Sequence, residues 1–443
     1  MISAHFEINS INMNSKGIYF GILSNILGNL LMLGATLWLT RALDPEEFGQ
    51  FRVASNFAIL LVPLFALGGE RLISRLLQRH SGDSLPARRV LATVFFITGT
   101  GTALLAVSYP LLSRLVFDGN IPIGVYYVSI AIIPLTIAYN LANTIWRHIG
   151  DSAKAQIDLN FTQRLVRAPL LVGAVLLWPG ALAASLAMTA AQAISLARIY
   201  RNLKLFSLHG IGSLPKAIRS NLKELLLIGV PVALMAAVDR LDVLLVNTVM
   251  GVAVAGSYDL IYMLALTAMF PAIALSKTAE PFLYKLAEDP IKIHRLKSLQ
   301  TRSFLISFTA VVGIAIATPI LARFLGNAGP DFARATLALS AGLAFSSVHG
   351  PVIEYLQING KRTFTLNVVV FFIAGFLTVK YFFASAGSLV GVAAASGLFY
   401  FALRFTLALY IRVNDGVSMA HPAAIITATI CYMLITMYVF RIT

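Results

Sequence analysis

The stretch AAVDRLDVLLVNTVMG, residues 236–251, carries Asp239, Arg240 and Asp242 inside a run that otherwise reads as hydrocarbon. A buried ionised group costs several kcal/mol unless it is paired or hydrated. These residue types suggest a particular chemistry. A guanidinium offers its donors in a fixed fork that matches phosphate oxygens. The carboxylates would tune that charge, or carry a coupling H+ or Na+. Asp239 and Asp242 lie three apart and share a helix face, while Arg240 points about 100° away. The alternative is that Arg240 pairs with an Asp on its own or a neighbouring helix and only holds helices in register.

The elements that must position these charges are membrane helices. Of 443 residues, 58% are hydrophobic and only 12% charged, with a mean hydropathy of +0.81. Soluble domains carry about twice that charge fraction. Runs such as VLATVFFITGTGTALLAVSYPLL reach the roughly 20 apolar residues that cross a bilayer as a helix. About ten-residue alternating segments, the mark of a barrel, are absent. Thirteen spans are expected, near 17–40, 52–75, 88–117, 122–146, 157–178, 180–202, 222–249, 254–282, 302–325, 332–357, 363–384, 388–411 and 420–441. Asp242 then sits about nine residues from the outer end of its span, on the order of 14 Å deep.

The net charge of +15 is explained by placement. With residue 1 inside, 26 of the 34 Lys and Arg fall at cytoplasmic ends, seven at the opposite ends, and Arg240 within a span. The positive-inside rule accounts for this split and predicts a cytoplasmic N-terminus. Nucleic-acid binding is not expected. Residues 1–16 lack a basic start, so no cleavable signal peptide is expected either.

The chain reads as written twice. DPEEFGQF (44–51) aligns with GVAVAGSY (251–258), matching Gly49 to Gly256. Pro110 and Arg114 match Pro319 and Arg323, Gly150 meets Gly360, and GALAASLAMTAA from Gly180 matches GSLVGVAAASGL from Gly387. A six-helix unit keeps both copies in one orientation, so their twofold axis runs along the membrane normal. The expected fold is an all-α integral membrane protein of two six-helix lobes, 1–205 and 221–412. A linker at 206–220 joins them, and 413–443 supplies an additional transmembrane helix. Such an architecture places a substrate between the lobes near mid-membrane.

The repeat also pairs Arg52 with Asp259, each three residues past its loop glycine. Symmetric positions lie across a central cavity, so these opposite charges are expected to meet at its outer mouth as a gate. The alternative is that each is simply solvated at the interface. Arg41 stands beside Glu46 and Glu47 in an outer loop, as a substrate contact or a brace of the turn. Glu70 and Arg71 read as a local pair, and Pro231 as a hinge or a packing residue. No Walker, H-E-x-x-H or G-x-S-x-G motif occurs, so an enzyme is not expected. The single Cys431 and the scattered histidines offer no metal site, and no cofactor is expected.

LTRALDPEEFGQFRVASNFAILLVPLFALGGERLISR resembles the start of the Wzx-like polysaccharide and O-antigen flippases, members of the multidrug/oligosaccharidyl-lipid/polysaccharide exporter superfamily. Arg41, Leu43, Pro45, Glu46, Phe48, Gly49, Phe51, Leu67 and Gly68 carry the likeness, as do Asp242, Gly251, Gly256 and Tyr258 around the seventh span. Asp44 stands where the family more often has Gly. The resemblance covers roughly residues 17–412 and implies a V-shaped, MATE-like fold in the bacterial inner membrane. It implies transport of an undecaprenyl-pyrophosphate-linked oligosaccharide by ion-coupled alternating access, beside polysaccharide polymerase machinery. Competing expectations are a MATE-like multidrug/cation antiporter, which calls for an acidic cavity, a peptidoglycan-precursor flippase, a membrane glycosyltransferase or polymerase, and a non-transporting scaffold.

Overall fold

The computed structural model describes residues 15–79, 85–149, 152–202, 214–273, 283, 286, 290–325 and 330–441. The N-terminal lobe runs α1 (Ser15–Ala42), α2 (Pro45–Ala66), α3 (Gly69–Arg79), α4 (Leu85–Val107), α5 (Tyr109–Leu115), α6 (Ile123–Ile149), α7 (Ser152–Ile157), α8 (Gln163–Leu177) and α9 (Ala181–Asn202). The C-terminal lobe runs α10 (Leu214–Met250), α11 (Val252–Thr267), α12 (Pro290–Leu325), α13 (Pro330–Ser346), α14 (Val352–Ile358), α15 (Arg362–Ser385) and α16 (Leu389–Asp415). The last helix is α17 (Pro422–Arg441). Each of the thirteen expected spans contains described helix, and residues 274–282 of the span expected over 254–282 lie outside the described residues. Among the described residues nine helices are long and apolar enough to cross a membrane, or ten with the bent pair α13–α14. This is a multi-pass membrane protein.

Local sequence explains where the spans break. Pro45 opens α2, where a missing N–H is no loss. Ser108 separates α4 from α5 just before Pro110. Gly350 (φ 80°) and Pro351 divide α13 from α14, which meet at 44°. The span expected over 52–75 is interrupted by Leu67 and Gly68 at φ 45° and 70°, a left-handed turn that reorients α3. The fifth span contains a π turn, Asp158–Thr162, that turns Asp158 and Asn160 inward. Of the stretch 206–220, residues 206–213 lie outside the described residues, and 214–220 form the first turns of α10.

The two halves pack alike. In the first, α6 packs on α9, α2 on α6, α8 on α9 and α1 on α8. In the second, α13 packs on α16, α11 on α13, α15 on α16 and α10 on α15. The lobes meet where α2 lies against α10 and α11, and where α10 also touches α3 and α4. α17 lies outside this pairing and packs on α13, its Tyr432 ring 6.3 Å from Phe345 and 5.3 Å from Phe401. Large side chains such as Leu104, Ile316, Phe371 and Phe382 face outward, as a lipid-facing surface requires. We call the side from which α1 starts the basic face, after its Lys and Arg, and the other the far face.

Candidate functional site

Gly251 ends α10 with φ 94°, a backbone state that glycine adopts without strain, and lets α11 turn back beside it. Arg240 and Asp259 therefore come from adjoining helices of one lobe and face α2 of the other. Arg52 and Asp259 form a buried ion pair across the lobes, with the carboxylate 0% exposed. This is the juxtaposition expected from the repeat. Asn56, one turn after Arg52, donates to Asp259 Oδ1 at 2.8 Å and to the Arg52 carbonyl at 2.8 Å. Its own Oδ1 accepts from Arg240 Nη1 at 2.6 Å. Arg240 Nη1 also lies 3.8 Å from Asp259 Oδ1, and its guanidinium stands 5.8 Å from the Tyr262 ring centroid. Arg52 Nη2 contacts Met263 Sδ at 3.1 Å.

Among the described residues two guanidiniums thus share one carboxylate, which leaves this interlobe group one net positive charge. Arg240 is the open member, its side chain 24% exposed. Its strongest bond is to a neutral amide, leaving donors of its fork for an anion.

Asp242 behaves differently. Two residues from Arg240 on a helix is about 200°, and Asp242 points into its own lobe with only 2% exposure. Lys380 Nζ on α15 binds its Oδ1 at 2.7 Å. Ser396 of α16 donates to Oδ2 at 2.6 Å, and Tyr258 of α11 donates at 3.2 Å. Lys380 is 2% exposed and its ammonium lies 5.2 Å from the Phe399 ring centroid. This closed set joins four helices of one lobe and fits the reading that such a charge holds helices in register. Asp242, expected from the sequence to tune the Arg240 charge or carry a coupling ion, is instead tied inside its own lobe, away from Arg240. Asp239 lies on α10 with a side chain outside those described, as does Pro231. Arg41 is exposed in the last turn of α1.

The lobes are tied at both faces. On the far side a Cβ on Gly49 would lie 2.1 Å from the Val252 carbonyl oxygen, and one on Gly256 would lie 2.9 Å from Gly49 Cα. Only hydrogens fit between α2 and α11 there. On the basic side Arg75 binds Glu224 at 3.0 Å, and Arg71, expected to pair locally with Glu70, donates to Gln357 at 2.5 Å across the lobes. Between these faces Gly229 of α10 packs backbone to backbone on Leu67.

Sequence reasoning missed Asn56, Lys380, Tyr258 and Ser396. Lys380 did carry a signal, a cation in FLTVKYFF within an expected span, and was assigned to the far helix ends. Asn56 also had one, an amide four residues after Arg52 and so on its face.

Two repeated helical lobes meeting at a central seam define the fold of a membrane transporter of the MATE type. Solved structures bear this out. The chain is similar to the inward-facing conformation of a multidrug resistance MATE family transporter of the MOP superfamily, at 15% identity and TM-score 0.62, over 89% of this chain and 98% of that one. It is equally similar to the outward-facing conformation, at 16% and 0.62, over 90% and 96%. It also matches a MOP superfamily transporter from Pyrococcus furiosus whose reversed pocket polarity is described as suggesting a different function, at 17% and 0.60, over 90% and 96%. No curated protein matches the chain. Residues 15–279 match the family described as polysaccharide biosynthesis protein, and the chain belongs to that family.

Proposed function

We propose that the chain is a flippase that moves an undecaprenyl-pyrophosphate-linked oligosaccharide across the bacterial inner membrane. In this reading the basic face is cytoplasmic and the far face periplasmic. The lobes are residues 1–205 and 221–412, with 413–443 as an added helix. The protein makes and breaks no covalent bond, and the finished lipid-linked unit passes to polymerase machinery.

One observation carries the proposal. Among the described residues Arg240, inside the membrane and on the lobe seam, makes its shortest bond to the amide of Asn56 and not to a carboxylate. A cation held this way suits an incoming diphosphate. The net positive lock counts against a multidrug or cation antiporter, whose cargo needs the opposite charge. Pocket polarity is also the property on which a different function was suggested for the Pyrococcus furiosus transporter.

The lock suggests how cargo opens the far face. A diphosphate arriving from the basic side competes with Asp259 for Arg240 and Arg52. Once both guanidiniums turn to the cargo, the seam loses its ion pairs and the buried Asp259 keeps only the Asn56 amide. Such a carboxylate is costly unless it binds a cation, so it supplies a place for the coupling H+ or Na+. Release of the cargo at the far side returns both arginines to Asp259 and closes the seam. Arg41, Asp239 and Asp242 complete the proposed substrate-path residues in supporting roles, Asp242 by fixing the register of α10.

The test is the leaflet distribution of undecaprenyl-linked glycans in a strain lacking the gene. Build-up on the cytoplasmic side is expected, rescued by wild type, partly by Arg240→Lys and not by Arg240→Ala. An unchanged distribution in the deletion strain would sink the proposal.

A further inference from the structure

A second basic cluster lies inside the N-terminal lobe, away from the lock. Arg164 and Arg167 stand on α8, thirteen and ten residues before its end at Leu177. That places both roughly 15–20 Å below the far end of the helix, within the hydrocarbon layer and not at the cytoplasmic end where the sequence count put them. Arg164 Nη1 donates to the Asn25 carbonyl at 3.0 Å and to Asn25 Oδ1 at 3.3 Å. Arg167 Nη2 donates to Gln192 Oε1 at 2.8 Å, and Gln163 Nε2 donates to the same oxygen at 2.7 Å.

The nearby carboxylate is already committed. Asp158, turned inward by the π turn, pairs with Arg198 and accepts from the Tyr139 hydroxyl at 2.9 Å. Among the described residues no carboxylate pairs with Arg164 or Arg167. Gln192 is 0% exposed, with its oxygen doubly engaged and its Nε2 unbonded, and Arg167 Nε is likewise buried and unbonded. Donors outnumber acceptors around two cations in the membrane interior, where such groups are expensive and mark ligand paths.

We propose that Arg164, Arg167 and Gln192 form a second anion site, which receives the diphosphate of the polyprenyl cargo before it reaches Arg240 and Arg52. This deepens the flippase reading and rests on it. Two guanidinium forks and an amide N–H match the oxygens of a diphosphate. A chain of cations lets the anion advance without a fully uncompensated step.

The test is native mass spectrometry of the purified protein with undecaprenyl pyrophosphate, with inorganic pyrophosphate as competitor. The Arg164→Gln/Arg167→Gln double variant should bind the lipid at least about tenfold more weakly. Without ligand the double variant should melt at a higher temperature than wild type, because two membrane-embedded cations with no carboxylate partner among the described residues are removed. A purely structural role requires a lower melting temperature. Unchanged binding, or reduced stability with unchanged binding, overturns the site. If the double variant does not fold, Gln192→Leu should still weaken binding several-fold, and no change there overturns the site. Competition by inorganic pyrophosphate in wild type supports recognition of the diphosphate itself, and its failure beside lost lipid binding supports recognition of the lipid-borne form. Wild type that binds no undecaprenyl pyrophosphate would sink the flippase reading itself, a result distinct from failure of the double variant alone.

Discussion

At the residue scale the molecule sorts its intramembrane charges into two kinds. Asp242 and Lys380 are consumed by each other, with Ser396 and Tyr258 filling the remaining valences. Removing one partner strands the other, so Asp242→Asn or Lys380→Met should cost about 3–5 kcal/mol, read as lost thermal stability and expression. Asp242→Leu with Lys380→Met should recover most of that stability and retain transport. Arg52, Asn56, Arg240 and Asp259 instead hold two lobes together with a charge left over. Reversing the pair as Arg52→Asp with Asp259→Arg should restore lobe closure that either single change abolishes, measured by distance between spin labels across the seam. If the double variant closes no better than the singles, the pair does not act as a lock. The meeting of Arg52 and Asp259 was legible because the repeat puts equal offsets opposite each other. The parting of Arg240 from Asp242 was legible only as an angle. Which of the two would find Asn56, and which Lys380, depends on neighbours brought from other parts of the chain.

At the element scale, hydropathy shows that a span exists and not where it breaks. Proline and glycine announce the interruptions at Ser108 and Gly350. Gly68 marks the turn after α2 in the same way, whereas Leu67 beside it is held in the left-handed region by packing and not by its own preference. The π turn at Asp158–Thr162 is silent, because its five residues suit an α-helix as well. Gly49 and Gly256 are the reverse case, a close crossing read first as a sequence match. Gly256→Leu should keep the lobes from meeting at the far face, giving a folded protein with raised labelling of cysteines placed beside Arg52. Labelling equal to wild type would show that the crossing does not control closure.

At the scale of the whole molecule, both faces are tied in this structure, so movement must release one tie while keeping the other. Cysteines at Arg75 and Glu224, bridged by a short bismaleimide in a Cys431→Ser background, should arrest transport, and reversal of the cross-link should restore it. Unimpaired flipping with the bridge in place would mean that the basic face need not open there. Two lobes, their repeat and the added helix were readable in advance, since they follow from span count and matched glycines and prolines. The links on the basic face were not, because Arg75–Glu224 and Arg71–Gln357 join residues that the repeat does not pair. One feature of α10 sets the mechanics of such movement. At 37 residues it is about 55 Å long against a hydrocarbon layer of about 30 Å, and its contact with Leu67 falls at Gly229. Gly229 is then a fulcrum, with Pro231 two residues along the arm that carries Arg240. A tilt of about 10° there would swing Arg240 by about 3 Å and the basic end by about 4 Å the opposite way. That swing is enough to part Arg240 from Asn56, now 2.6 Å away, so a small push on the basic arm is felt as an unlatching on the far one.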